Sequence, residues 1–308
     1  MKRLTRYQVF LALLTSMGIS TSVLADVAQA SLKQPPHAAE QNADLLAQAA
    51  TADDALAEGI TLVKQGNISA AITAFEQAAK LDPTSAAAHY NLGLALRQNN
   101  QLQAAATAFW QATQADPNFA MAYVNLGAAL LEGENIDQAE SYLNRALELE
   151  PTLGLAYYNE GLLQRRKDDP VAALTAFKQA ITYSPAAPEP HYHIGAIYQA
   201  QGQYAQAQQA FEQALAFDNN YPEAHYSLGT ALALQGDAEG AIAEFETAFT
   251  QLPSFGHAYY AQAIALTTLQ RYDEAKTQLQ SAITLYVAQG NTEWARIAGE
   301  QLTRIEGL

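Results

Sequence analysis

The chain has 308 residues, 49% of them hydrophobic, a balance that suits a folded protein and excludes a disordered one. Its 16 Lys and Arg against 31 Asp and Glu give a net charge of -15, which would repel a phosphate backbone and excludes nucleic acid as a partner. Cysteine is absent, which removes disulfides, thiolate metal sites and a lipid-bearing N-terminal cysteine.

Residues 1–25 divide into a basic start (Lys2, Arg3, Arg6), an apolar stretch from Val9 to Ile19, and Val23-Leu24-Ala25, with small side chains where a signal peptidase reads. The apolar stretch falls short of the about 20 residues that a permanent membrane helix needs. The expectation is a secretion signal cleaved after Ala25, no lasting membrane span, and a mature chain in the periplasm or a thylakoid lumen. Residues 26–51 then read as a flexible spacer through Pro35-Pro36, with a short capping helix over 38–49.

From residue 52 the chain repeats itself at an offset of 34 residues. Units begin at residues 52, 86, 120, 154, 188, 222 and 256 and run to 289 without an insertion. Unit position 8 is Gly59, Gly93, Gly127, Gly161, Gly195 and Gly229, then Ala263. Position 20 is alanine throughout (Ala71 to Ala275), as is position 27 (Ala78 to Ala282), while position 24 is Phe75, Phe109, Leu143, Phe177, Phe211, Phe245 and Leu279. Position 32 is Pro83, Pro117, Pro151, Pro185 and Pro253, with Asn219 and Val287 as exceptions.

Wound at about 100° per residue, positions 4, 7, 8 and 11 fall on one arc of a first helix, and 17, 20, 24 and 27 form the matching stripe of a second. Small residues let the two axes approach, the large residue at 24 fills the space beside them, and proline at 32 ends the second helix. The break between the helices falls near position 15, at Gly66, Gly202 and Gly236, with Asp168-Asp169-Pro170 serving in the fourth unit. Thr51 and Asp54 resemble a capping box at the first helix. Residues 290–308 predict a terminal capping helix, opened by Asn291, with Trp294, Ile297, Ala298, Leu302 and Ile305 on its apolar face. The fold class is all-α, a solenoid of helical hairpins.

An aromatic residue or His at 4, Leu at 7, Gly at 8, Ala at 20, Phe at 24, Ala at 27 and Pro at 32 resembles the signature of the tetratricopeptide repeat family. The resemblance covers residues 52–289, and departs from the pattern at Glu58, Gln262, Ala263 and Val287. It implies a right-handed superhelix whose inner surface holds an extended peptide or another protein; it does not by itself name the ligand.

Positions 2, 5, 6, 9, 12 and 13 lie on the arc of the first helix that the hairpin leaves uncovered, and these are the candidate binding residues. Position 5 gives a ladder of Tyr90, Tyr158, Tyr192, Tyr226 and Tyr260, side chains with an aromatic body and a polar tip that the core does not require. Position 6 contributes Asn91, Asn125 and Asn159, whose amides can grip a peptide backbone. Arg97, Arg165 and Arg166 form a basic patch on an acidic chain and point to a partner bearing a carboxylate. Met121, Val124, Leu131 and Leu155 suggest an apolar pocket for a partner side chain.

His89, His191 and His225 sit at position 4, on the buried arc, where they are expected to pack against the second helix. No metal-binding His-Glu-x-x-His run, phosphate-binding glycine loop or nucleophile elbow occurs. The reading is a non-catalytic scaffold without cofactor that binds protein or extended peptide, an assembly or trafficking factor outside the cytoplasm. The alternative is a structural scaffold that self-associates or belongs to an envelope or polysaccharide-export complex, and homo-oligomerisation is compatible with either.

Overall fold

The computed structural model describes residues 51–307. The expected leader, the spacer and the capping helix over 38–49 lie outside the described residues. Among the described residues all regular structure is α-helical, and they fall into two compact units divided between Pro185 and Ala186.

The first unit holds α1 (Ala52–Lys64), α2 (Ile68–Leu81), α3 (Ala86–Gln98), α4 (Leu102–Ala115), α5 (Ala120–Glu132), α6 (Ile136–Leu149), α7 (Gly154–Arg166) and α8 (Pro170–Tyr183). They pair as α1/α2, α3/α4, α5/α6 and α7/α8, and each hairpin packs its second helix on the first helix of the next. First helices also touch directly, α1 on α3 and α5 on α7. The second unit repeats the plan with α9 (Pro188–Ala200), α10 (Tyr204–Phe217), α11 (Pro222–Leu234), α12 (Ala238–Gln251), α13 (Gly256–Thr268) and α14 (Tyr272–Ala288), followed by α15 (Thr292–Glu306).

The hairpins close through the small residues. A Cβ placed on Gly161 would come within 2.5 Å of the Phe177 ring, and on Gly93 within 2.6 Å of Phe109, so the ring of the second helix lies directly on the backbone of the first. Ala71, Ala105, Ala139, Ala173, Ala207, Ala241 and Ala275 are fully buried, as are Phe109, Phe177, Phe211, Leu143 and Leu279. Such contact leaves no volume for an added methylene.

Position 15 turns the chain by left-handed backbone in every hairpin. Gly66, Gly202 and Gly236 take φ of 77°, 75° and 89°, and Asn100, Glu134, Asp168 and Gln270 take φ of 60°, 64°, 61° and 60°. Only three of the seven therefore use the residue that this conformation favours. In the fourth hairpin Asp168 makes the turn, while the Asp169 carboxylate accepts from the amides of Val171 and Ala172 and caps α8. At the start of α1 the Thr51 hydroxyl oxygen accepts from the Asp54 amide at 3.1 Å, and the hydroxyl donates to the Asp54 carboxylate at 2.8 Å.

Position 4 does more than fill space. His89 Nε2 lies 2.9 Å from the Pro83 carbonyl oxygen, His225 Nε2 lies 3.1 Å from that of Asn219, and the Tyr157 hydroxyl donates to Pro151 at 3.2 Å. Each ties the first helix to the position-32 carbonyl of the turn before it, one residue beyond the C-cap of the preceding helix. At the C-terminus Val287 replaces proline, and α14 extends to 17 residues against 14 in α12. Asn291 caps α15, which buries Ala298 and Ile305 and half-buries Trp294, Ile297 and Leu302.

Candidate functional site

The uncovered arc of the first helices is less open than their spacing suggests. In the first unit the Tyr90 ring lies 5.8 Å from Phe109 and 4.8 Å from Phe119, and its hydroxyl oxygen accepts from Asn125 Nδ2 at 3.2 Å. Tyr158 is buried, its ring 6.0 Å from Phe177. The second unit repeats the contact: Tyr192 meets Phe211 at 5.8 Å and Tyr221 at 5.1 Å, and Tyr226 meets Phe245 at 5.8 Å and Phe255 at 5.0 Å. Tyr260 meets Trp294 edge-on at 5.6 Å. The tyrosine ladder is thus part of the packing, wedged in the first four cases against the position-24 ring and in three of them against the aromatic residue that ends the same repeat. The expectation that the core does not need these residues is corrected.

The asparagines are corrected likewise. Asn91, Asn125 and Asn159 each donate Nδ2 to the carbonyl four residues back, on Ala87, Met121 and Leu155, at 2.8, 2.9 and 2.9 Å. Asn125 and Asn159 are buried, and their amides donate to their own helix and, for Asn125, to Tyr90 of α3 rather than to a peptide. Asn159 Oδ1 keeps no hydrogen-bond partner among the described residues. Val124 is fully buried and Leu131 nearly so, packed with Leu143, Ala156 and Leu163. They are core and not a pocket wall, while Met121 and Leu155 remain half-exposed.

The arginines separate. Arg97 Nη1 donates to Asn125 Oδ1 at 3.1 Å, and its Nη2 pairs with Glu132 at 3.1 Å, so its charge is already answered inside the unit. Burial holds the Glu132 carboxyl above its ordinary value, against the opposing pull of Arg97 and, more weakly, Arg166. Arg165 and Arg166 are exposed at the end of α7, and Arg166 makes no hydrogen bond or ion pair among the described residues. Lys167 is bound to Glu140 at 2.6 Å.

One group of residues escaped the sequence reading. In the second unit position 2 is Glu189, Glu223 and His257. Glu189 is buried, and Glu223 is half-buried with its carboxyl pushed up by that burial. Reading position 2 beside position 5 would have found them, since each lies three residues before a ladder tyrosine. Around His257 the aromatic groups gather: Trp294 stands edge-on at 4.7 Å, and the Tyr286 hydroxyl lies 2.9 Å from Nδ1. Burial pushes the His257 imidazole down and the Tyr286 phenol far up, the latter aided by Tyr226 and Tyr260. Among the described residues no cluster of three or more His, Asp or Glu side chains could hold a metal ion.

Family patterns described as Tetratricopeptide repeat match residues 56–120 and 92–154 and again 256–286, and one described as TPR repeat matches 172–202 and 197–236. Comparison with curated proteins finds no match. Among solved structures, a chain of the APC/C hetero-tetramer Cut9-Hcn1 is 21% identical at a TM-score of 0.65; the match covers 73% of this chain but only 45% of that one. YrrB, described as a TPR protein with an unusual peptide-binding site, is 24% identical at a TM-score of 0.52, over 63% of this chain and 99% of its own. The pilF protein of Pseudomonas aeruginosa is 19% identical at 0.58, over 66% and 92%. At these identities the likeness is one of fold.

Proposed function

The chain belongs to the tetratricopeptide repeat family, and from that footing we propose that it is a non-catalytic scaffold holding a protein or extended peptide on the first-helix faces of its units. One observation carries the reading: Arg166 stands exposed with no hydrogen bond or ion pair among the described residues, only a weak pull on the Glu132 carboxyl, on the same face of α7 as the half-exposed Leu155. Eleven residues separate them, about three helical turns, so an extended segment running along α7 meets an apolar contact and then a guanidinium. A guanidinium takes a carboxylate through paired hydrogen bonds, which makes an acidic side chain or a chain terminus the complementary group. Arg97 does not join it, because Glu132 already neutralises that charge. The fold of YrrB, whose description names a peptide-binding site, is an example of the same architecture in that use.

A photoreactive residue placed at Met121 or Leu155 should cross-link to a polypeptide from the native cell fraction, and one placed at the exposed Val171 of α8 should not. Arg166→Ser should reduce the yield at Leu155 several-fold. Equal labelling from Val171, or an unchanged yield in the arginine variant, would remove the first-helix face from consideration.

The compartment is a further part of the proposal and rests on residues 1–25 alone. Their basic start, apolar stretch and Val23-Leu24-Ala25 support export across the inner membrane, to a periplasm or thylakoid lumen, where the scaffold would assist assembly or trafficking. N-terminal sequencing of the protein from cells should begin at Asp26; any earlier start refutes cleavage there.

A further inference from the structure

The first helices of the second unit, α9, α11 and α13, carry Glu189 and Glu223 and not one Lys or Arg. Beyond residue 185 the basic side chains are Arg271, Lys276, Arg296 and Arg304, set against thirteen Asp and Glu. Arg271 is held by Glu239 and Glu274, Lys276 lies 3.8 Å from Asp273, and Arg296 pairs with Glu300. None of these basic groups lies on a first helix.

Glu223 has no ion pair and no side-chain hydrogen-bond partner among the described residues, although it is half-buried. Among the described residues its own backbone amide is the one donor to it; a carboxylate withdrawn from water with so little compensation is costly, and the cost falls when a cation arrives. Burial raises its carboxyl above the ordinary value. Its surroundings suit a cation as well. Tyr226 follows three residues later on the same face of α11, Tyr260 holds the equivalent place on α13, and Trp294 meets Tyr260 edge-on at 5.6 Å. Aromatic faces carry negative charge density and attract an ammonium or guanidinium.

We propose that Glu223, one helical turn before Tyr226 on α11, seats one cationic side chain, a lysine or arginine of the partner segment. The inference rests on the reading of the first-helix faces as peptide-binding and adds the chemistry of the residue that the second unit selects. It runs opposite in sign to the first unit, where Arg166 seeks a carboxylate.

The test uses the full chain and four acetylated, amidated octapeptides of Gly and Ser that differ only in a central pair: Lys-Lys, Arg-Arg, Glu-Glu or Leu-Leu. Titration calorimetry should give the Lys and Arg peptides at least tenfold tighter binding than the other two. Glu223→Gln should abolish that preference, and Glu246→Gln, which removes the same charge from the outer helix α12, should leave it intact. If both variants weaken binding equally, the attraction is the general field of an acidic protein and the seat is refuted. A preference for Lys that survives Glu223→Gln refutes it too. If the Leu or Glu peptide binds best and cross-links at the first helices, the cation seat fails while the peptide-binding reading stands. If no peptide binds, both fail.

Discussion

Glu134 sits in left-handed backbone, φ 64°, where a β-carbon crowds the following carbonyl. Glu134→Gly should therefore stabilise the protein by about 0.5–1 kcal/mol, the strain relieved less the added freedom of the unfolded glycine, as measured by urea denaturation. Gln270 stands in the same conformation and offers a repeat of the measurement. Glu132 gives a prediction in pH. Its folded carboxyl lies above the ordinary value, so the protonated form suits the fold; that contribution is complete below the unfolded value and fades as pH rises through the folded one. Glu132→Gln lacks the effect, and its amide oxygen can still accept from Arg97. Measured between about pH 4 and pH 7, the stability of the variant relative to the parent should shift in the variant's favour. Single residues were the scale at which the sequence was hardest to read. Tyr90 lies on the arc that helical winding marks as free, but its ring is long enough to reach Phe109 and Phe119 of its own repeat, while Asn125 meets Tyr90 and Arg97 of the preceding repeat, a contact that periodicity within one repeat does not reveal. Arg97 looked like a free charge because Glu132 is 35 positions away in the chain.

At the scale of helices and hairpins the reading was far better, because the determinants are steric and recur. Glycine at 8 and alanine at 20 and 27 could only mean close axes, and Phe177 on the backbone of Gly161 is the physical form of that pattern. Ala146 is fully buried, so Ala146→Leu should destabilise the first unit by about 1–3 kcal/mol, read in the same denaturation assay. The length of α14 was less legible: loss of proline at Val287 signalled an irregular unit but not how far the helix would run. The closing helix also supplies a pH response. The His257 imidazole is held below its ordinary value of 6.5, so protonation opposes the fold; the stability it lends is present above that value and is lost as pH falls through the depressed one. In a Trp110→Phe background, Trp294 fluorescence should change on acidification from about pH 7 to about pH 5, and His257→Gln should flatten that change.

Within each unit the main contacts run between helices adjacent or next but one in sequence order, so damage should stay local. Tyr286→Ala removes a buried ring that meets His257 and Trp294. Hydrogen exchange should show protection lost over 256–307 and retained over 52–185, rather than one global collapse. The unbroken 34-residue frame has a consequence for how such a gene can change. Crossing-over between misaligned copies adds or removes one whole block, and the junction falls at matching positions wherever the exchange occurs. Deleting residues 86–119 would join Ser85 to Ala120, replacing one position-34 to position-1 junction with another. Alleles of this locus are therefore expected to differ in length by whole multiples of the block, with shorter and longer forms alike able to fold.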